Sequence, residues 1–155
     1  MKGDTIRIFN IHLQSMHFAK KDYAFIENID QQDMDDVQTA GRNIIRKMKT
    51  ANLLRSGQAR DIKDEMEKSP YPVIVCGDMN DVPNSNAYQI ISSDLYDAFT
   101  EKGWGIGRTF KFLSPTLRID YVLHSKSLKV DRVQVLRSPR SDHSPVLADF
   151  ILDKK

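Results

Sequence analysis

Residues 72–80 read Pro-Val-Ile-Val-Cys-Gly-Asp-Met-Asn. The first five are apolar, rich in β-branched residues and followed by Gly, which is typical of a short strand buried inside a sheet. Asp78 and Asn80 come directly afterwards, where α/β proteins collect functional groups beyond the ends of strands. Their spacing of two points both side chains the same way, which suits Mg²⁺ and a phosphate together. The alternative is a plain turn rich in Asp and Asn.

Upstream of this strand the sequence predicts a helix and another strand. Apolar residues recur at helical spacing from 37 to 66, and Ser56-Gly57 is expected either to bend that helix or to split it into two. Residues 6–13 alternate as a strand that is apolar on both faces and is expected to be covered on both. Residues 14–36 lack a clean period and are expected to be a solvated segment with about one helical turn. The strand, helix and strand together predict a βαβ unit.

Downstream of residue 80 the pattern changes to short elements. Asn84-Ser85 caps a short helix that runs to about Ser92. Strands are expected at the segments 109–112, 119–124, 130–136 and 146–152. The predicted class is α/β with one mixed sheet, helices on one face and an antiparallel C-terminal part. Neither a linker nor a repeat divides residues 1–155, so the sequence predicts a single domain or part of one.

The composition excludes several classes of protein. Charged residues make up 28% of the chain and its net charge is +2, so it is globular and no charge demands a nucleic-acid or membrane partner. The single cysteine, Cys76, excludes an internal disulfide and a Cys-rich zinc site. These residues contain no membrane segment, and taken alone they favour a cytoplasmic location. A basic excess after residue 100 suggests an anionic ligand, although one-sided surface charge is common.

Two further motifs place polar groups at strand boundaries. The segment 118–123, Arg-Ile-Asp-Tyr-Val-Leu, puts Asp120 in an apolar strand, where a carboxylate needs a cation or a hydrogen-bond partner. The arginine that begins this segment is one candidate partner. The segment 141–146, Ser-Asp-His-Ser-Pro-Val, sets Asp142 beside His143 at the start of the last strand. That pair suits metal binding and acid–base chemistry, or simple capping beside a surface histidine.

These motifs follow an order known from one family. Gly77-Asp-Met-Asn80, the segments 118–123 and 141–146, and an early Asn10-Ile-His-Leu13 resemble the endonuclease/exonuclease/phosphatase family, which has the DNase I-like fold. The resemblance covers residues 6–152. It implies a four-layer α/β/β/α sandwich and hydrolysis of a phosphoester that depends on a divalent metal ion, Mg²⁺ or Mn²⁺.

The resemblance also implies a role for each matching residue. Asp78 would orient or deprotonate the attacking water, and Asn80 would hold that water or a phosphate oxygen. His143 would contact the scissile phosphate, and Asp120 would fix the orientation of its ring. His12 would donate a hydrogen bond or a proton to the leaving oxygen.

Two more residues and the substrate complete the prediction. Asp142 would be a metal ligand, directly or through water. Arg108 lies beside a Gly-rich loop and is a candidate contact to the substrate phosphate. The family includes nucleases, sphingomyelinases and inositol-phosphate phosphatases, so nucleic acid, phospholipid and inositol phosphate all stay open as substrates.

The length is short for this resemblance. A domain of that architecture needs roughly 200–250 residues, and the family's early Asn and metal-binding Glu have no counterpart here. We therefore expect the C-terminal half of a domain, poorly active alone, whose open apolar sheet face forms a homodimer. Met1 is either the natural start or a boundary behind which a signal or membrane anchor could lie. The alternative function is a non-catalytic binding or assembly module on a degenerate or truncated scaffold.

Overall fold

The structure is a computed structural model that describes residues 5–31, 33–112 and 116–151. Within these ranges the chain forms six strands and four helices. The strands are β1 Arg7–His12, β2 Val73–Asp78, β3 Leu95–Asp97, β4 Asp120–Ser125, β5 Lys129–Val135 and β6 Val146–Ile151. The helices are α1 Lys20–Glu27, α2 Met34–Glu67, α3 Asn86–Ser92 and α4 Ala98–Lys102, and a 3₁₀ turn spans Ile29–Gln31.

Four strands form a mixed sheet in the order β1-β2-β4-β3. β1 and β2 are parallel, while β4 is antiparallel to both of its neighbours. The α/β class, the mixed sheet and the βαβ unit are therefore confirmed. The structure differs in that β5 and β6 form a separate two-stranded antiparallel sheet. The strand that pairs with the free edge of β4 is instead β3, whose three residues give no pattern that the sequence could show.

Helices α2 and α3 cover one face of the mixed sheet. Their apolar residues enclose a core with the inward side chains of β2 and β4, as the helical spacing predicts. The fully buried members of this core include Ala59, Val75, Met79, Ile91 and Leu123.

None of the helices in the described ranges has both the length and the apolar character to cross a bilayer.

The opposite face of the mixed sheet is covered only in part. Val122 of β4 packs against a second cluster formed by α4, β5 and β6. At the other end β1 is open, and Ile8 is 63% exposed. The prediction that β1 is covered on both faces is therefore wrong for the described chain.

Residues 14–36 are more helical than expected. α1, the 3₁₀ turn and the beginning of α2 occupy most of this segment. The carboxylate of Asp22 accepts a hydrogen bond from the Ala19 amide (2.6 Å) and pairs with Lys47 Nζ (2.6 Å). The ion pair joins α1 to α2, and this tertiary contact is invisible to local periodicity.

Two more boundaries differ from prediction. α2 runs unbroken through Ser56-Gly57, and the Ser56 hydroxyl is taken up within the helix, where Oγ donates to the Asn52 carbonyl (2.8 Å). The strand predicted at 109–112 is absent among its described residues, and Phe110 makes only one isolated bridge, to His143. The predicted end of the last strand, Leu152, lies outside the described residues.

Candidate active site

Three polar residues lie in a row at one edge of the mixed sheet. His12 ends β1 and is the register partner of Asp78, which ends β2. Asp78 is in turn the partner of Asp120, the first residue of β4. Because β4 runs antiparallel to β2, its beginning meets the end of β2. The strand register alone thus collects three residues that are distant in sequence.

The turn after β2 fixes the Asp78 carboxylate. Asn80 has a φ of 51°, a left-handed conformation that Asn tolerates, and its amide N–H donates to Asp78 Oδ1 (2.7 Å). Asn80 Nδ2 donates to Asp78 Oδ2 (3.2 Å) and to the Leu13 carbonyl (3.0 Å). Both carboxylate oxygens are held, while no donor in the described ranges meets Asn80 Oδ1, which stays available to a ligand.

Two imidazoles flank Asp78. His143 Nδ1 lies 2.9 Å from Asp120 Oδ2, and its Nε2 lies 3.9 Å from Asp78 Oδ2. His12 Nε2 lies 3.6 Å from the same Asp78 oxygen, on a side chain that is mostly exposed. The ring of Phe110 packs against His143 with centroids 4.9 Å apart. The structure therefore gives Asp120 the partner it requires, which is His143.

Arg118 does not serve Asp120. Its Nη1 pairs with Asp97 Oδ2 at 2.6 Å, and its guanidinium lies over the rings of Phe99 and Tyr121. Of the two partners that the sequence allowed for Asp120, the arginine is thus committed to a different carboxylate. The Asp120 carboxylate therefore pairs with His143 and lies beside Asp78 at this edge of the sheet.

Asp142 and Arg108 lie elsewhere. Asp142 is exposed, its Oδ1 is 3.4 Å from Ser141 Oγ, and its carbonyl accepts from the Lys111 amide. The guanidinium of Arg108 donates to the backbone carbonyls of Phe110 and Lys111. The structure leaves the side chains of both residues outside the cluster. The predicted residues that it does bring together are His12, Asp78, Asn80, Asp120 and His143.

Sequence reasoning missed a supporting residue, Thr109. It is fully buried, and its Oγ1 accepts from the amides of Ile119 (3.0 Å) and Asp120 (3.1 Å). Its carbonyl accepts from the Ser144 amide at 2.7 Å. Thr109 therefore ties the start of β4 to the segment that carries His143. A threonine in an apparent strand gives no signal of this role.

A buried ion pair supports the turn after β2 from the helix side. Arg55 Nε lies 2.8 Å from Asp81 Oδ2, and Arg55 Nη1 donates to the Gln14 carbonyl (3.1 Å). Sequence reasoning passed over this arginine as well. The available signal was its position midway between Ala51 and Ala59, on the buried face of α2. A buried charge at such a position requires a partner.

The donor set fits a small divalent cation. Asp78, Asp120 and His143 each offer one ligand atom, and these atoms lie within 4.8 Å of one another. Burial raises the pKa of Asp78, and the charge of Asp120 raises it further, while the Asn80 amide and the two histidines oppose the rise. Two carboxylates that repel each other in a partly buried place are the hard oxygen ligands that Mg²⁺ and Mn²⁺ prefer.

A comparison with protein families assigns the chain. The model described as "Endonuclease/Exonuclease/phosphatase family" matches residues 19–143. The chain belongs to this family. Its DNase I-like fold class, with a mixed sheet and helices, is confirmed by solved structures. Among curated proteins, no significant match was found.

Three of the similar structures illustrate the relation. A family protein from Bacteroides thetaiotaomicron has 25% identity and a TM-score of 0.56, covering 66% of this chain and 45% of that one. A mannosyl-6-phosphatase of that species has 25% identity and a TM-score of 0.52, covering 67% and 47%. The human Nocturnin catalytic domain with bound sulfate has 26% identity and a TM-score of 0.54, covering 64% and 42%. The chain thus spans less than half the length of these relatives.

Proposed function

We propose that this chain carries part of the active site of a phosphoester hydrolase that depends on a divalent metal ion. The observation that carries the proposal is the convergence of Asp78, Asp120 and His143, whose ligand atoms lie within 4.8 Å at one sheet edge. Membership of the family and the exposed imidazole of His12 beside the same carboxylate support it.

The residues have separate tasks in this proposal. Asp78 orients the attacking water and takes its proton, and Asn80 Oδ1 holds that water or a phosphate oxygen. His143, held by Asp120, donates to a phosphate oxygen, and His12 donates a proton to the leaving oxygen. The carboxylates of Asp78 and Asp120 would hold Mg²⁺ or Mn²⁺, which would supply positive charge to the phosphate oxygens.

Metal binding tests this function directly. Titration calorimetry with Mn²⁺ should show one site on the wild-type chain, and Asp78→Asn should weaken binding by about 10- to 100-fold, as the loss of a metal-site group does. Asp149→Asn removes an exposed carboxylate of β6 and is the matched control. An unchanged Kd in Asp78→Asn would contradict the proposal. Absence of any Mn²⁺ site would favour a non-catalytic binding or assembly module.

Asp142 and Arg108 have proposed roles as well, although neither side chain reaches the cluster. We propose that Asp142 binds the metal ion through water and that Arg108 contacts the substrate phosphate. The Mn²⁺ titration of Asp142→Asn, compared with that of Asp78→Asn, tests the role of Asp142. A Mn²⁺ affinity equal to that of the wild type would remove Asp142 from the metal site.

We also propose that these residues are the C-terminal part of one domain and that the isolated chain forms a homodimer through its open sheet face. The relatives' greater length and the exposed Ile8 support this. Such a chain should hydrolyse bis(4-nitrophenyl) phosphate with Mn²⁺ poorly by itself. Rapid hydrolysis by the purified 155-residue chain would show that it holds a complete site.

We propose a cytoplasmic location for the chain. The support is its single cysteine, half-buried and free, which suits a reducing compartment. Fractionation of cells that express the native gene, with a cytoplasmic and a membrane marker, tests this. Recovery with the membrane marker would contradict it.

A further inference from the structure

An apolar cavity of about 990 Å³ lies between α1, the first half of α2 and the segment that follows β1. Aliphatic and aromatic side chains supply most of its lining. A cavity of this kind with few polar groups is typical of a site that buries the apolar part of a small ligand. Its apolar lining includes Met16, Phe18, Tyr23, Ile44, Met48 and Phe110.

The cavity borders the candidate active site through two residues. Asn80 lines it together with Asp81 and Val82, so the residue that holds Asp78 also borders the cavity. Phe110 lines it too, and the same ring packs against His143. An apolar group joined to a phosphate at the cluster would therefore lie next to the cavity, on the side of Asn80 and Phe110.

Several of the polar side chains in the lining are already engaged. Arg55 is buried and paired with Asp81, the one acid of the lining among the described residues. His17 Nε2 lies 2.5 Å from Nε2 of Gln14, a residue outside the lining. The larger part of the lining is aliphatic or aromatic, which suits the apolar part of a ligand.

The remaining charge on the cavity is positive. Lys49 lines it and pairs with no carboxylate that the structure describes. Lys49 therefore gives the apolar cavity a positive charge, which complements a molecule that joins an anionic head to an alkyl chain.

We propose that the cavity is the apolar subsite of this active site and takes the alkyl chain of an amphiphilic phosphate ester. The phosphate lies at Asp78, Asn80 and His143, and the chain passes Phe110 toward Met48. The inference rests on the proposed function for the position of the phosphate. It adds the class of substrate, a phosphate ester with an alkyl chain.

Binding of n-alkylphosphocholines to the wild-type chain tests the subsite without requiring turnover. Titration calorimetry with Mn²⁺ present and with butyl, hexyl, octyl and decyl chains, each below its micellar concentration, gives the Kd. Affinity should rise by about fourfold for each buried methylene, the equivalent of about 0.8 kcal/mol. A Kd that is independent of chain length overturns the proposal, as does tighter binding of adenosine 5′-monophosphate than of octylphosphocholine.

Two charge variants of α2 localise the effect. Met48→Glu places a carboxylate in the cavity lining and should remove most of the dependence on chain length. Leu53→Glu makes the same kind of change on an exposed residue of the same helix outside the lining, and should leave the dependence intact. Thermal unfolding of both variants shows whether the fold is kept. Equal loss in the two variants, both folded, overturns the proposal.

Failure of the subsite and failure of the proposed function are separable. Inorganic phosphate serves as a competitor for the head-group end alone. If phosphate binds with Mn²⁺ and Asp78→Asn abolishes this, while alkyl chains add nothing, the function stands and the subsite is wrong. If alkyl chains bind with the expected dependence, but neither Mn²⁺ nor Asp78→Asn affects the phosphate, the cavity stands as a binding site and the hydrolase proposal fails.

Discussion

Asp78 is the residue at which the demands of stability and of chemistry conflict most directly. Burial raises its pKa above the ordinary value of 3.8, and the nearby Asp120 raises it further. The ionised form that a base or a metal ligand needs is therefore the form that the folded protein disfavours. A cation in the cluster would reverse this preference by Coulomb attraction.

This conflict predicts a pH-dependent effect of Asp78→Asn. Since the folded pKa is raised, the native state binds more protons than the unfolded state between 3.8 and that pKa, and wild-type stability falls as the pH rises through this window. At pH 7 the variant should be at least as stable as the wild type. The advantage should shrink as the pH falls toward 3.8. Urea unfolding at several pH values without metal measures this, and a pH-independent loss of stability would contradict it.

Asp120 predicts a loss of activity without loss of the fold. Asp120→Asn replaces the carboxylate that holds His143 Nδ1 at 2.9 Å, so the ring loses its fixed orientation. In a protein that contains this chain and is active, kcat should fall by about 10- to 100-fold. Hydrolysis of bis(4-nitrophenyl) phosphate with Mn²⁺ is the measurement, and Asp149→Asn is the matched control. Equal rates for the two variants would exclude the positioning role.

At the scale of elements, the pairing of β1 with β2 depends on one glycine. Gly77 has a φ of 138°, and a Cβ placed there would lie 1.9 Å from the Ile11 carbonyl oxygen. Gly77→Ala must therefore force the two strands apart, at a cost of about 3 kcal/mol or more in the free energy of unfolding. Because this pairing sets His12 against Asp78, the Mn²⁺ site should weaken as well.

Gly41 provides the matched control for that substitution. It lies within α2, where an added Cβ would meet nothing within 4 Å. Gly41→Ala should raise the free energy of unfolding by about 0.5–1 kcal/mol, because alanine loses less backbone entropy in a helix. Urea unfolding of both variants gives the comparison. Similar stabilities for Gly77→Ala and the wild type would show that β1 and β2 are spaced differently in solution.

At the scale of the whole molecule, the open face of the mixed sheet predicts self-association. Ile8 of β1 lies on this face and is 63% exposed. Apolar surface of this kind on a sheet is usually covered by another layer. Sedimentation equilibrium at micromolar concentration should therefore find a dimer of the 155-residue chain.

Substitutions on two surfaces show which face associates. Ile8→Lys places a charge on the open sheet and should give a monomer, because a buried ammonium without a partner is costly. Leu53→Lys places the same charge on an exposed part of α2 and should leave the dimer unchanged. A wild-type monomer at micromolar concentration would rule out the dimer. Dissociation by Leu53→Lys alone would move the interface to the helical side.

Much of the fold could be predicted because its signals are local. The apolar run before Gly77 and the helical period of residues 37–66 identify a buried strand and its covering helix, and the connection rules make the unit βαβ. The order of the motifs then predicted that Asp78 and His143 belong to one site. The structure places these two side chains together, while their catalytic roles stay predictions.

Other features depend on which segments meet, and only the tertiary structure decided them. The three-residue β3, the partner of Asp120, the buried pair of Arg55 with Asp81 and the exclusion of Asp142 from the cluster all arise between parts of the chain that are far apart in sequence. The sequence determined which residues are chemically able to serve a phosphoester site, because residue type and local period are properties of short segments. Their distances are set by strand register and packing, which belong to the whole fold.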